Sequence, residues 1–246
     1  MNAQDTTELK IKHSDYSFNK QPKKKNKWIT PVSVGIGYAA TTYTCYRFWD
    51  TEIKKFSQEH RSKFQTFISK SVSYLGLGKS QTIGLCGTTI LAFAVKDEKL
   101  KKATIIWAGS LLINSITTNQ LKKAFHRHRP NSGDAYNTFD WRNRSKINIS
   151  LPSAHTSNMF TTATVFATLY NDKKWVAPVA YALASLVGLS RIYDNAHWGS
   201  DILAGAAVGF LSAKAMNSLY SLAGKKIIFL PRTDLRYFAF EVVYQF

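Results

Sequence analysis

From Trp28 onward the chain is a series of apolar segments, 28–46, 80–95, 103–121, 156–170, 175–189 and 202–222, separated by charged hinges such as "KDEKLKK" and "NDKK". Each segment mixes Val, Ile, Leu and Ala with small residues over a length that suits a helix and exceeds an ordinary strand. Lysines gather at the boundaries, where helix ends and turns meet solvent. Six such segments without an internal repeat predict an all-α fold, a compact helical bundle of about six core helices. A chain of 246 residues is long enough to bury such a core in one domain.

The expected organisation has three parts. Residues 1–27 are polar, end in "KQPKKKNK" and read as a mobile basic leader. They lack the apolar stretch of a secretory signal, so the expectation is a cytosolic start or a start methionine set ahead of a mature terminus. Residues 28–224 form the bundle. In the tail, 225–246, Phe238, Phe240, Val242, Tyr244 and Phe246 alternate with Ala239, Glu241, Val243 and Gln245. That is strand patterning, with a hairpin expected around Pro231–Asp234. The 131–150 stretch is longer than an ordinary connection, and loops of that kind often serve as lids or binding loops.

A membrane span needs about 20 predominantly apolar residues. Segments 28–46 and 103–121 are free of charge over that length but carry Thr, Ser, Asn, Gln and Pro. With a mean hydropathy of −0.20, the expectation is a soluble or peripheral bundle with small-residue helix contacts. An integral arrangement is the alternative, because Gly and Ala also populate membrane helix interfaces.

Charge narrows the partners. The chain has 33 basic and 15 acidic residues, a net +18, which favours an anionic partner: nucleic acid, an acidic membrane surface or a phosphorylated substrate. The lysines are scattered over hinges and no recognition motif appears, which argues against specific nucleic-acid binding. Cys45 and Cys86 make no metal pattern and no disulfide framework, and read as small buried residues. The sequence sets no oligomeric state.

Three stretches carry chemistry. In "NQLKKAFHRHRP", Lys122 and Arg129 are seven apart, two turns along one helix face, and Pro130 is expected to end that helix. Two cations there can bracket an oxyanion, the arginine with a planar fork, although a solvated basic face has the same pattern. His126 and His128, two apart, face different directions on a helix and are expected to be partly exposed, with no metal role. In "LPSAHTSNMF", Ser153 suits the N-cap of a helix whose first N–H groups form an anion site, with His155 in the first turn beside it. In "SRIYDNAHWGSD", His197 and Asp201 are four apart and stack on one helix face. A carboxylate one turn along fixes the imidazole tautomer and leaves the other nitrogen free to attack. Arg191 could grip the anion, and burying Arg, His and Asp together is costly without a ligand or full pairing. Asp194 has no assigned catalytic role.

Taken together the three stretches resemble the type 2 phosphatidate phosphatase superfamily, which includes bacterial non-specific acid phosphatases, lipid phosphate phosphatases and vanadium haloperoxidases. Its pattern is K-x6-RP, then PSGH, then SR-x5-H-x3-D. This chain has Lys122 to Arg129-Pro130, then Pro152-Ser153-Ala154-His155, then Ser190-Arg191, His197 and Asp201, over about residues 100–215. The four fixed residues of the last motif alone would arise by chance in roughly one chain in a thousand of this length. Ala154 stands where the family usually has glycine; alanine keeps the backbone N–H and suffices unless the position needs a positive φ.

The resemblance implies a metal-independent phosphatase acting on phosphomonoesters, either soluble or as lipid phosphates or diphosphates. Lys122, Arg129, Arg191, Ser153 and the Ala154 backbone would bind phosphate. His197, oriented by Asp201, would form a phosphohistidine, and His155 would serve as acid and then base. It implies no cofactor, with vanadate as a phosphate mimic and inhibitor, and a bacterial-type cell envelope location, periplasmic or peripheral to the membrane. Its neighbouring alternative is a vanadium-dependent haloperoxidase, and a basic nucleic-acid- or membrane-surface-binding protein is the alternative of another class.

Overall fold

The computed structural model of the protein describes residues 29–141 and 149–223, and the backbone of 227–234 and 237–244. The leader 1–27 and positions 142–148 of the long loop lie outside the described residues. The chain divides into two units, Met1–Tyr38 and Ala39–Phe246. The described part of the first unit is the start of a helix, α1 (Ile29–Thr44), whose residues 33–38 are exposed.

After α1 comes a π-helical turn, Cys45–Trp49, then α2 (Asp50–Glu59), α3 (Lys63–Ser73), α4 (Gly78–Ala94), α5 (Glu98–Phe125), α6 (Ala154–Leu169), α7 (Val176–Tyr193) and α8 (Gly199–Ala223). The fold is all-α, as the apolar periodicity predicts, and the six expected core segments correspond to α1 and α4–α8. The sequence reading omitted α2 and α3, which are short and carry charges on their outer faces. Capping explains where several helices begin. The Asp97 side chain accepts from Leu100 N at 3.0 Å, and Ser62 Oγ accepts from Gln65 N at 3.2 Å.

Helix α6 is the hub, packed against α5, α7 and α8. Its approach to α8 depends on Gly205 and Gly209, one turn apart. A Cβ at Gly205 would lie 2.6 Å from the Ser153 carbonyl oxygen, and one at Gly209 would collide with the Ser157 carbonyl oxygen. The two backbones therefore touch, as in small-residue helix contacts within membranes. The approach also seats the start of α6 on the start of α8, where Ser153 N donates to Asp201 O at 3.0 Å.

Two buried apolar clusters hold the helices together, one around Ile106, Trp107, Val165 and Ala213, the other around Met159, Ala163, Ala184 and Val187. Around them the interior is polar: Ser110, Asn114, Thr118, Thr156, Ser157, Thr161 and Thr164 are all buried. Most of these find partners within a helix turn or on the facing helix. Thr161 Oγ1 donates to Ser157 O at 2.8 Å, and Asn114 Nδ2 donates to Asn158 Oδ1 at 2.8 Å. The large apolar side chains point outward instead: Ile83, Ile90, Leu112, Ile116, Leu189, Leu211 and Leu219 are each more than half exposed. Helices α7 and α8 are long and apolar enough to cross a membrane, and only 22% and 28% of their apolar windows are buried.

Four local expectations change. Helix α5 stops at Phe125, four residues before Arg129, because His126 takes a left-handed conformation with φ 44°. The chain then pairs with its own return: His128 N donates to Thr138 O and Asp140 N to His126 O, each at 3.1 Å. That pairing replaces the last helical turn and carries Arg127 inward. Pro130 begins a short 3₁₀ turn, Pro130–Ser132, rather than ending a helix. His126 is buried, whereas His128 is partly exposed as expected and is clasped between Asp134 Oδ2 at 2.7 Å and Asp140 Oδ2 at 2.9 Å. Burial opposes charge on His128, but the hydrogen bonds and charges of these two carboxylates outweigh it and raise its pKa. The first half of the 131–150 loop is thus a pinned return and not a free lid. Cys45 is buried as expected, whereas Cys86 is exposed.

At the C-terminus, β1 (Ile227–Asp234) and β2 (Tyr237–Tyr244) pair antiparallel, with Ile227 opposite Tyr244 and Asp234 opposite Tyr237. Pro231–Asp234 therefore belongs to the first strand, and the chain reverses after it.

Candidate active site

The three sequence motifs converge at one end of the bundle. Lys122 comes from the last turn of α5, Ser153 and His155 from the start of α6, Arg191 from the last turn of α7, and His197 and Asp201 from the link to α8 and its first turn. Neighbouring helices run in alternating directions, so the ends of α5 and α7 meet the starts of α6 and α8. Arg129 joins from the 126–140 return. Arg191, His197, Arg129 and Lys122 all lie within electrostatic reach of His155.

Ser153 is the N-cap of α6, accepting from Thr156 N at 3.5 Å and from Thr156 Oγ1 at 3.0 Å. Ala154 is the first helical residue and has no positive φ, so the replacement of glycine costs nothing in backbone strain. His155 follows in the turn whose N–H groups have no preceding helical carbonyls and whose dipole end is positive. The 74–76 turn closes over it. A Cβ on Gly76 would lie 2.8 Å from His155 Cβ and 2.9 Å from its carbonyl oxygen, so only glycine admits this contact.

His197 sits in the tight link after α7, 4% exposed, with its own N–H and that of Ala196 both directed to Arg191 O. Its Nδ1 lies 3.6 Å from Asp201 Oδ2 and 3.3 Å from Ser150 Oγ. Asp201 is fully buried. Its Oδ2 accepts from Ser150 Oγ at 2.5 Å and from Trp198 N at 3.0 Å, the second bond being half of a capping box for α8. Burial lowers the pKa of His197 to about 4; Asp201 works against that shift, and the Lys122 and Arg129 charges add to it. At neutral pH the imidazole is therefore uncharged, with a lone pair available, and Asp201 on the Nδ1 side leaves Nε2 as the free nitrogen.

The cations are held but not consumed. Lys122 Nζ donates to Ile149 O at 2.5 Å and to Ser150 O at 3.4 Å. Arg191 Nη1 pairs with Asp194 Oδ2 at 2.8 Å, and Asp194 Oδ1 in turn accepts from Ser69 Oγ at 2.8 Å. Asp194, left without a role by the sequence reading, thus holds Arg191 in place. The Nε groups of Arg129 and Arg191 are buried and make no hydrogen bond among the described residues. A buried guanidinium N–H without an acceptor is costly, and two of them beside one neutral imidazole and one helix start describe a place for an oxyanion.

Sequence reasoning missed three further residues. Arg127 is buried between Asp50 and Asp201, 2.7 Å from a carboxylate oxygen of each. Ser150 bridges His197 and Asp201. Asp50 accepts from Ser200 N at 2.8 Å and from Ser200 Oγ at 2.6 Å, capping α8 from another helix. Arg127 could have drawn notice only as part of the basic run "HRHRP"; nothing in the sequence links it to Asp50.

The PAP2 superfamily matches the chain over residues 103–225, half of its length. A lipid A 1-phosphatase of Porphyromonas gingivalis is 40% identical over 94 residues, covering 38% of this chain and 18% of that protein. A lipid A 1-phosphatase of Rhizobium johnstonii is 30% identical over 119 residues, covering 46% of this chain and 48% of that protein. The matches thus span less than half the length of either relative. Among solved structures, LpxE of Aquifex aeolicus superposes with a TM-score of 0.54 at 23% identity, over 69% of this chain and 94% of that one. A transmembrane PAP2-type phosphatidylglycerolphosphate phosphatase from Bacillus subtilis gives a TM-score of 0.55 at 18% identity, over 79% and 98%. These two share the helical fold. With the family match spanning α5 to α8 and the helices that carry all three motifs, the chain belongs to the PAP2 superfamily.

Proposed function

We propose that this protein is a metal-independent lipid phosphate phosphatase that works through a phosphohistidine on His197. The observation that carries the reading is the pair of buried, unpartnered Nε–H groups of Arg129 and Arg191 beside an uncharged, carboxylate-backed imidazole. Phosphate oxygens would accept from these two groups, from Lys122 and from the first N–H groups of α6, the charge-neutralising frame on which phosphoryl transfer depends. His197 Nε2 attacks phosphorus, and the bond to the leaving oxygen breaks as His155, protonated against the negative charge of the bound phosphate, supplies its proton. His155 then takes a proton from water, whose oxygen attacks the phosphohistidine; inorganic phosphate leaves and His197 returns to its neutral form. Three cations fill the place that a metal has in other phosphoryl-transfer sites.

The substrate reading rests on the surface. Many large apolar side chains face outward, while buried Ser, Thr and Asn line much of the interior around the two apolar clusters. In a bilayer that arrangement carries no penalty and leaves polar packing inside. The bundle is therefore read as membrane-embedded, with its site at the helix ends, level with lipid headgroups. The relatives named above act on lipid phosphates by name, and a lipid A 1-phosphate is the first candidate. The test is phosphate release in EDTA from lipid A 1-phosphate, phosphatidylglycerol phosphate, phosphatidate and a soluble aryl phosphate. Release from at least one lipid, exceeding that from the soluble ester and inhibited by vanadate, is expected. Strict dependence on a divalent ion, or preference for the soluble ester, would contradict the proposal.

A further inference from the structure

We infer that the buried Arg127–Asp50 pair positions the nucleophile, Arg127 fixing Asp201 and Asp201 fixing His197. This rests on the phosphatase reading above.

Arg127 is 1% exposed, and its donors are all taken. Nη1 donates to Asp201 Oδ1 and Ser200 Oγ, each at 2.7 Å; Nη2 donates to Asp50 Oδ2 and Tyr136 O, each at 2.7 Å; Nε donates to Tyr136 O at 3.0 Å. The rings of Tyr46, Trp198 and Phe139 enclose the guanidinium at 5.1, 5.4 and 5.6 Å. It touches no part of the phosphate frame, so its role is one of position and not of contact with substrate.

Two details separate this from a structural ion pair. The first is orientation. Arg127 takes Oδ1 of Asp201, which turns Oδ2 toward Ser150, Trp198 N and His197 Nδ1. The second is charge. One carboxylate would neutralise one guanidinium, yet two are buried against it. Asp50 balances Arg127, and the charge of Asp201 remains for His197. As the imidazole becomes cationic during attack on phosphorus, a net single negative charge from Asp50, Arg127 and Asp201 stands against it. With Asp50 absent, Asp201 would be the sole counter-ion of Arg127 and would stabilise that cation less. A purely structural site would be met equally well by apolar residues of similar volume.

The test uses the full-length protein in detergent, with kcat, KM, vanadate inhibition and thermal midpoint measured for Asp50→Asn and for the charge-balanced double variant Arg127→Met/Asp50→Leu. Removing both charges together leaves no unpaired ion between them. The double variant is expected to keep its KM and vanadate inhibition and to melt lower, because Ser200 N and Asp201 Oδ1 lose their partners, while kcat falls about 10- to 100-fold, the scale of loss when an outer partner of a metal-bound histidine is removed. An unchanged kcat would overturn the inference. If the double variant does not fold, Asp50→Asn decides alone, because asparagine keeps one acceptor oxygen for Ser200: a lower kcat at unchanged KM supports the inference, and an unchanged kcat overturns it. Should the wild-type protein release no phosphate from any substrate, the phosphatase reading fails separately. The decision then passes to ¹⁵N NMR of the His197 ring. A protonated Nδ1 in the wild type that becomes a mixture of tautomers in the variant supports the inference, and identical spectra overturn it.

Discussion

His197→Gln is expected to reduce phosphate release by on the order of 10⁴- to 10⁶-fold, the loss seen when the nucleophile of a covalent hydrolase is removed. Glutamine retains a polar group for Ser150 and Asp201, so the buried pair is not left without partners. The phosphate frame of Lys122, Arg129 and Arg191 is untouched, so the variant should still bind inorganic phosphate with near-normal affinity. Single-turnover phosphate release, alongside inorganic-phosphate binding, checks both halves. Near-normal turnover would remove His197 from the mechanism, and lost turnover with lost phosphate binding would point to a collapsed site instead.

Arg191→Lys carries the second large effect, a loss of about 10²- to 10³-fold in kcat/KM, the scale of one well-placed donor to a developing oxyanion. The substitution keeps the charge and a donor for Asp194, while the planar fork and its buried Nε–H disappear. The kinetics to compare are those of Asp194→Asn, in which Arg191 keeps its fork and loses only its charged anchor. That variant should be impaired less. Equal kcat/KM in Arg191→Lys and the wild type would mean that the guanidinium does not grip the phosphate.

The site was legible in the sequence to the extent that its chemistry is local. His197 and Asp201 sit one helical turn apart, so spacing alone puts them on a common face, and Ser153 and His155 share a helix start. The cap at Ser153 and the first turn of α8 form for the same short-range reasons. Long-range placement was not legible. Arg127 and Asp50 are 77 residues apart and meet only because α5 stops early at His126 and the chain folds back on itself. No propensity rule assigns a left-handed conformation to a histidine at that point, so the reading ran the helix on to Pro130. Helices α2 and α3 were passed over because their apolar positions are interrupted by charge, although Asp50 at the start of α2 reaches into the buried network.

The membrane question shows the same limit from another side. Mean hydropathy of −0.20 averages a polar leader and charged hinges with apolar helices. It is blind to which side chains face inward. Ser110, Thr161 and Thr164 lower the average yet are buried, whereas Leu112, Leu211 and Leu222 face out. Direction, not composition, is what supports the proposed membrane setting.

The most direct measurement of the central claim is rapid-quench trapping with a lipid substrate labelled on phosphorus, followed by peptide mapping. The account predicts a base-stable, acid-labile phosphoryl group on the peptide containing His197. It should accumulate in His155→Ala, which lacks the base for the second step, and be absent in His197→Gln. Label on any other residue, or turnover in the wild type and His155→Ala with no trapped phosphoenzyme under any quench time, would contradict it.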